Sequence, residues 1–317
     1  MLLPTNNIVR SAQSNKKSLN ILSFICDGYF DSMLCNALPQ HKFYAPLNDS
    51  KKPEGWNFTL CPQPPNLYYI PNFQQSNIAS KINFDLAICH DRTSQYETAQ
   101  QVVHALHINL IIMEHITSVA HLDMIGMIPL LKRTKNDVNV FVKNMAESFK
   151  IEGAVIPYGI PKLNSTNNKN QVLVFNAADD TVQNIQPYIK TPIKQYDTNT
   201  LTESEYHKVL EESKFYFNLE AELSRLQLPT LYAMSAGCVV ISMSSPAVED
   251  VITHMENGII INNMEDLINI WNKLDSITTS KISKNAIQHI ADNYDSEVFA
   301  TKWNEILNNT SNKTYIR

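Results

Sequence analysis

Glycine is scarce, with seven in 317 residues where average usage is about 7%. No G-x-G-x-x-G or G-x-x-x-x-G-K-[ST] loop is present. This argues against a tightly held dinucleotide and against a P-loop nucleotide hydrolase. There is no G-x-S-x-G elbow and no H-E-x-x-H pair either, so Ser/His/Asp combinations have no motif behind them. Charge is thin: charged residues are 18% of the chain and the net charge is -5. That balance disfavours a non-specific nucleic-acid binder. No stretch of about 20 apolar residues occurs, so no membrane span is expected. The five cysteines, at 26, 35, 61, 89 and 238, show no CxxC or Cys/His ligand spacing. They are expected as reduced, mostly buried thiols of a cytoplasmic protein, with no metal site.

What is present is a core-forming chain. Hydrophobic residues make up 44%, enough for a sizeable core. At roughly 100–200 residues per domain the length suggests two domains. Uncharged polar residues replace the missing charge, including 34 asparagines.

Short apolar runs alternate with helical spacing. Leu19 to Ile25 is too short for a secretion-signal core and reads as the first strand, with Asp27-Gly28 as its turn. Phe30 to Leu38 reads as a helix. Residues 40–80, rich in proline, read as irregular. Strands follow at Phe84 to Cys89, Asn109 to Met113, Val138 to Val142 and Ala154 to Ile156, with a helix over Tyr96 to His107. This is βαβ spacing and predicts an open parallel sheet. The polar stretch 161–170 is the linker candidate. Beyond it, strands are expected at Gln171 to Phe175, Lys214 to Leu219, Cys238 to Met243 and Gly258 to Ile261. Helices are expected at Ile185 to Ile189, Glu203 to Glu212, Pro229 to Ser235 (closed by Gly237), Ala247 to Ile252, Asn263 to Asp275, Ser283 to Asn293 and Ser296 to Leu307. The expected fold class is α/β, two Rossmann-like domains facing across a cleft. The division is 1–162, 163–293, and a closing helix with polar tail over 294–317 that crosses back to the first domain.

Ligands of open parallel sheets bind beyond the carboxyl ends of the strands, which singles out the residues there. His115, after the third clear strand, either donates to a phosphate or sugar hydroxyl or anchors its loop against Glu114. Arg92 either grips an acidic ligand group or makes a surface ion pair with Asp91 or Glu97. In the second half, Ser224, Arg225 and Thr230 surround the start of the Pro229 helix, where backbone N–H groups and the helix dipole favour an anion. Tyr232 lines the cleft or packs. Gly28, Tyr29, Gly159 and Asn176 complete the set of strand-end candidates.

Several segments resemble one family. LPTLYAMSAGCVVISMSSPAVEDVITHMENGIIINNMEDL, residues 228–267, resembles the donor-binding half of group 1 retaining glycosyltransferases, which have the GT-B fold. There, E-G-F-G-L-P-x-x-E-A-M-A-x-G precedes a short strand. VFVKNMAESFKIEGAVIPYGIP, residues 140–161, resembles that family's approach to the interdomain linker. YDSEVFATKWNEIL, residues 294–307, resembles its closing helix. Residues 84–115 resemble a smaller viral or bacterial branch in which a histidine follows such a strand, as His115 does. The family's two glutamates, eight apart, fall here at Ser224 and Tyr232. Glu220 and Glu222 are near but out of register, and the family's basic pair near the donor phosphates has no obvious counterpart.

The resemblance implies sugar transfer from a nucleoside-diphosphate sugar to a saccharide or other acceptor, with retention of configuration. No tightly bound cofactor and no metal are implied. His115 and Glu222 are the catalytic candidates. Gly159, Asn176, Ser224, Arg225, Thr230 and Tyr232 are the donor-side candidates, and Gly28, Tyr29 and Arg92 the acceptor-side ones. Alternatives are a catalytically degenerate sugar- or nucleotide-binding protein of the same fold, a viral transferase acting on modified DNA bases, and an assembly protein. A nucleic-acid partner is not favoured and no integral membrane contact is expected. The location is cytoplasmic, that of the host for a viral protein.

Overall fold

The computed structural model describes residues 18–47, 52–53, 56–73, 81–116, 124–134, 137–143, 145–165, 171–175, 179–219 and 228–315. The first half runs β1 (Asn20–Ser23), α1 (Gly28–Ala37), β2 (Lys42–Pro46), β3 (Leu67–Ile70), β4 (Leu86–His90), α2 (Tyr96–Leu106), β5 (Asn109–Glu114), α3 (Met124–Arg133), β6 (Val138–Phe141), α4 (Ala146–Phe149) and β7 (Ala154–Val155). These strands form a seven-stranded parallel sheet in the order β3-β2-β1-β4-β5-β6-β7.

The second half runs β8 (Val172–Phe175), α5 (Asp179–Ile185), β9 (Ile193–Tyr196), α6 (Glu203–Glu212), β10 (Phe215–Asn218), α7 (Leu228–Ser235), β11 (Val239–Met243), α8 (Pro246–Glu249), β12 (Ile259–Ile261), α9 (Met264–Trp271), α10 (Ser276–Asn293) and α11 (Ser296–Ser311). Its five parallel strands are ordered β12-β11-β10-β8-β9. Both halves are Rossmann-like α/β domains.

Local chemistry accounts for the element ends. Every residue of β4, Leu-Ala-Ile-Cys-His, is buried, as expected of a central parallel strand covered on both faces. Asp27 caps α1, its Oδ1 accepting from Phe30 N at 2.8 Å. Thr202 and Glu205 form a reciprocal capping box at the start of α6,. Gly237 has φ +76°. Cys238 N donates to Ala233 O at 2.9 Å and Gly237 N to Met234 O at 3.0 Å. This is a Schellman closure of α7, which needs a left-handed residue at that point.

Four parts of the sequence reading require correction. Residues 40–80 contain β2 and β3 on one side of the first sheet. Pro46 ends β2, a position where its missing N–H is tolerated,. In the second half, α5 ends where a helix was expected to begin, and β9 follows with two exposed residues and no apolar run to announce it. In addition, α3, which carries Pro129, was not foreseen, and α10 starts earlier, at Ser276 with Asp275 as its cap.

The last helix, α11, packs on α1, β4 and β5. Phe299, Trp303 and Leu307 are buried. The Trp303 ring stands edge-on to Phe30, with centroids 6.4 Å apart. The chain leading into α11 is joined to the linker by Ile160 N donating to Tyr294 O at 2.8 Å.

Candidate active site

The carboxyl ends of β1, β4 and β5 meet in a buried polar cluster. β1 and β4 are sequence-distant neighbours flanking the point where the strand order reverses, which is where open α/β sheets form their crevice. Gln95 ties the ends together: its Oε1 accepts from His90 N at 2.9 Å and its Nε2 donates to Ile25 O at 2.6 Å. Gln95 closes a π-helical turn over Asp91–Gln95, and Asp91 has a left-handed φ of 49°. Such turns recur at functional sites.

Within the cluster, His90 Nδ1 and His115 Nε2 are 2.9 Å apart, and His115 Nδ1 lies 2.9 Å from the Tyr158 hydroxyl. Asp31 Oδ2 accepts from Cys26 N at 2.8 Å and Asp27 N at 3.0 Å. Burial, reinforced by the charge of Asp27, pushes the Asp31 carboxyl well above its usual range, while the two backbone donors oppose the shift. The Phe30 ring stands edge-on to both imidazoles.

Behind this cluster lies Arg92. It is buried, and its partners are interior residues rather than the surface ion pair with Asp91 or Glu97 that was one of its two expected roles; Asp91 is itself buried, and Glu97 pairs with Arg133. Nη1 donates to Glu114 Oε2 at 2.8 Å, Nε to Thr134 Oγ1 at 3.1 Å, and Nη2 to Asn139 Oδ1. The Phe141 and Phe149 rings flank the guanidinium. Burial above all, then the charge of Asp91, pushes the Glu114 carboxyl up to about 8 against the pull of Arg92. Arg92 therefore ties the end of β4 to Glu114 of β5, Asn139 of β6 and Thr134, and its side chain is buried among the described residues.

A cavity of about 360 Å³ lies between the two halves. Tyr29 and Met33 of α1, Gly159 of the linker, Tyr206 of α6, Tyr232 of α7 and Phe299 of α11 bound it. Its wall is mostly apolar, with four aromatic rings and two carboxylates, Glu203 and Glu297. Tyr232 stacks on His207, with centroids 5.6 Å apart, and meets Tyr206 edge-on. Burial lowers the pKa of His207 and raises those of Tyr29 and Tyr232. Among the described residues no lysine or arginine lines it.

The structure thus brings three sequence candidates, Tyr29, Gly159 and Tyr232, onto one cavity, with Gly28 beside Tyr29 at the start of α1. It places His115 in the strand-end cluster, its ring facing His90 and Tyr158 rather than Glu114. Thr230 is buried in the first turn of α7, its hydroxyl 3.4 Å from Nδ2 of Asn218 at the end of β10. Asn176, Glu222, Ser224 and Arg225 lie outside the described residues. Sequence reasoning missed Cys26 and Asp31. Neither belongs to a spacing motif, and only the adjacency of β1 to β4 brings them to His90.

No family model and no curated protein matches this chain. Solved structures do. HepE of Anabaena in complex with UDP-glucose superposes with a TM-score of 0.67 at 12% identity, over 92% of this chain and 100% of that one. Sucrose-phosphate synthase from Thermosynechococcus elongatus gives 0.68 at 12%, over 92% and 99%. A glycosyltransferase from Rickettsia africae gives 0.65 at 14%, over 94% and 100%. The fold is GT-B. The aromatic cavity is then the linker-side part of the GT-B interdomain cleft, and the histidine cluster occupies the strand-end crevice of its first domain. Among the described residues no helix is long and apolar enough to cross a membrane.

Proposed function

We propose that this protein transfers a sugar from a nucleoside-diphosphate sugar to an acceptor, with retention of anomeric configuration. The observation that carries the reading is the likeness over nearly the whole of both chains to a structure that holds UDP-glucose. In this reading the donor diphosphate lies at the start of α7, and the contacts nominated for it are Glu222, Ser224 and Arg225, which precede that helix in the sequence, and Asn176, which follows β8 in the sequence. The helix dipole and the N–H groups of the first turn stabilise negative charge there, except at Pro229, which has no N–H. Catalysis is mainly electrostatic: the leaving diphosphate gains charge as the anomeric bond breaks, and fixed donors stabilise that charge. His115 contacts the sugar from the first domain.

The cavity is bordered by Glu203 and Glu297 and, among the described residues, by no lysine or arginine to offset a diphosphate, so it suits an uncharged acceptor, with Tyr29 in its wall and Gly28 next to Tyr29 in the chain. Closure of the two halves excludes water and limits hydrolysis of the donor. A second reading, binding of a sugar nucleotide without turnover, is favoured by one observation: Ser224 and Tyr232 stand where the resembling family has glutamates.

A thermal-shift and hydrolysis screen across UDP-, GDP-, ADP- and CDP-sugars tests both readings. Stabilisation plus sugar release, weakened in Arg225→Ala and His115→Ala, supports transfer. Stabilisation without release supports the binding reading. Indifference to every activated sugar sinks both.

A further inference from the structure

Cys26, His90 and His115 leave the carboxyl ends of three neighbouring strands, β1, β4 and β5. Adjacent strands lie about 4.8 Å apart, so side chains at the same end of three neighbours converge. One ligand atom from each of the three lies within 4.8 Å of the others. Both histidines are buried and Cys26 is half-buried.

His115 is oriented from behind by a hydrogen bond, and His90 has a carboxylate near its far nitrogen. His90 Nε2 faces Asp31 Oδ1 at 3.8 Å, and His115 Nδ1 meets the Tyr158 hydroxyl at 2.9 Å. His90 Nδ1 and His115 Nε2 then point into the same space, 2.9 Å apart. Metal-ligating histidines are held in this way, one nitrogen toward the ion and the other against a carboxylate or similar partner. Two nitrogens on a tetrahedral zinc ion are separated by roughly 3.3 Å at Zn–N distances of about 2.0–2.1 Å. The pair must open by only about 0.4 Å to admit one.

We propose that Cys26, His90 and His115 form a binding site for a divalent transition-metal ion of borderline softness, zinc foremost, with the fourth position taken by water or a ligand. The inference does not rest on the sugar-transfer reading, although both use His115: with Nε2 on the ion and Nδ1 against Tyr158, it meets a sugar through the ion's fourth ligand. One thiolate and two imidazoles suit zinc and its neighbours and do not suit magnesium or calcium, which require oxygen ligands. Three protein ligands make an exchangeable site rather than a closed structural one. Tyr158 orients His115, and Asp31 stands where a small shift of the His90 ring lets it accept from Nε2. Both imidazoles ligate in the neutral form, so the proton shared between His90 Nδ1 and His115 Nε2 moves to His90 Nε2 on the Asp31 side, and uptake releases the thiol proton of Cys26 to solvent,.

Cobalt(II) titrated into the full chain reports on this directly, because a cobalt–thiolate bond gives a sulfur-to-metal charge-transfer band that an oxygen-only site lacks. One equivalent should bind with that band, and zinc should displace it. Cys26→Ser should abolish the band and weaken binding at least about tenfold, whereas Cys61→Ser should preserve both. X-ray absorption on the zinc-loaded unaltered chain is the second readout, independent of whether histidine variants fold. It should show one sulfur at about 2.3 Å and two imidazole nitrogens at about 2.0–2.1 Å. Failure to bind cobalt, a charge-transfer band that survives Cys26→Ser, or a zinc shell without sulfur overturns the assignment.

Discussion

Trp303 offers two substitutions with opposite consequences from one side chain. Its ring is fully buried in α11, with centroid distances of 6.4 Å to Phe30 and 6.3 Å to Phe299. Its indole Nε1 is buried with no hydrogen-bond partner among the described residues. Trp303→Ala removes the whole ring and leaves a cavity between α11 and α1, which should cost about 3–5 kcal/mol. At roughly 2–4 °C per kcal/mol, the melting temperature should fall by roughly 6–20 °C. Trp303→Phe keeps most of the packing and deletes a buried donor whose unmet hydrogen bond costs about 1–3 kcal/mol. The lost ring volume and the removed donor then offset, and stability should change by no more than about 1 kcal/mol. The consequence reaches the site, because Phe30 touches Trp303 on one side and His90, His115 and Tyr158 on the other. Trp303→Ala should therefore weaken cobalt or sugar-nucleotide binding, and Trp303→Phe should leave it intact. Thermal melting of both variants, paired with one binding titration, decides the matter. A phenylalanine variant that falls more than half as far as the alanine variant would refute the argument from the unmet donor.

The remaining predictions concern charge, close approach and capping. Glu114 has its pKa raised from the usual 4.5 to about 8 by burial, then by Asp91, so the folded state holds this proton more tightly than the unfolded chain. Its contribution is complete below about pH 4.5 and is lost as pH rises toward 8,. The stability of the wild type relative to Glu114→Gln should fall across that window, and melting curves against pH that stay parallel would exclude it. A Cβ on Gly159 would lie 2.7 Å from Phe299. Gly159→Ala should thus cost about 1–3 kcal/mol by forcing the linker off α11, read as a lower denaturation midpoint. Thr202→Ala removes the α6 capping box and should cost about 0.5–2 kcal/mol in the same assay, with no effect on cobalt uptake.

Much of the fold is legible in the order of the residues because its signals are local. Buried parallel strands such as Leu86–His90 and Val239–Met243 must be apolar on both faces, so they read as continuous apolar runs,. Gly237 and the pair Thr202/Glu205 mark helix ends through backbone requirements within one turn. The illegible parts are those whose burial is one-sided or weak. β9 has two exposed residues in four, and β3 has one exposed and one half-buried. Their assignment follows from pairing with β8 and β2 rather than from their own pattern,.

The candidate site divides along the same line. Strand-end position pointed to His115, Tyr29 and Gly159, each in a segment that follows a strand, whereas Tyr232 was singled out by its place one turn into α7. Arg92 shows what position leaves undetermined: whether a guanidinium after a strand turns outward or inward depends on Glu114, Asn139 and Thr134 reaching it from β5, β6 and the end of α3. Composition and periodicity thus determined two parallel α/β halves and the strand ends where chemistry gathers, since both follow from short-range burial and turn rules. Only the tertiary structure decided that Cys26, Asp31, His90, His115 and Tyr158 share one space. The sheet order sets β1, β4 and β5 side by side, and convergence of side chains at 3–5 Å depends on that adjacency, not on separation along the chain,.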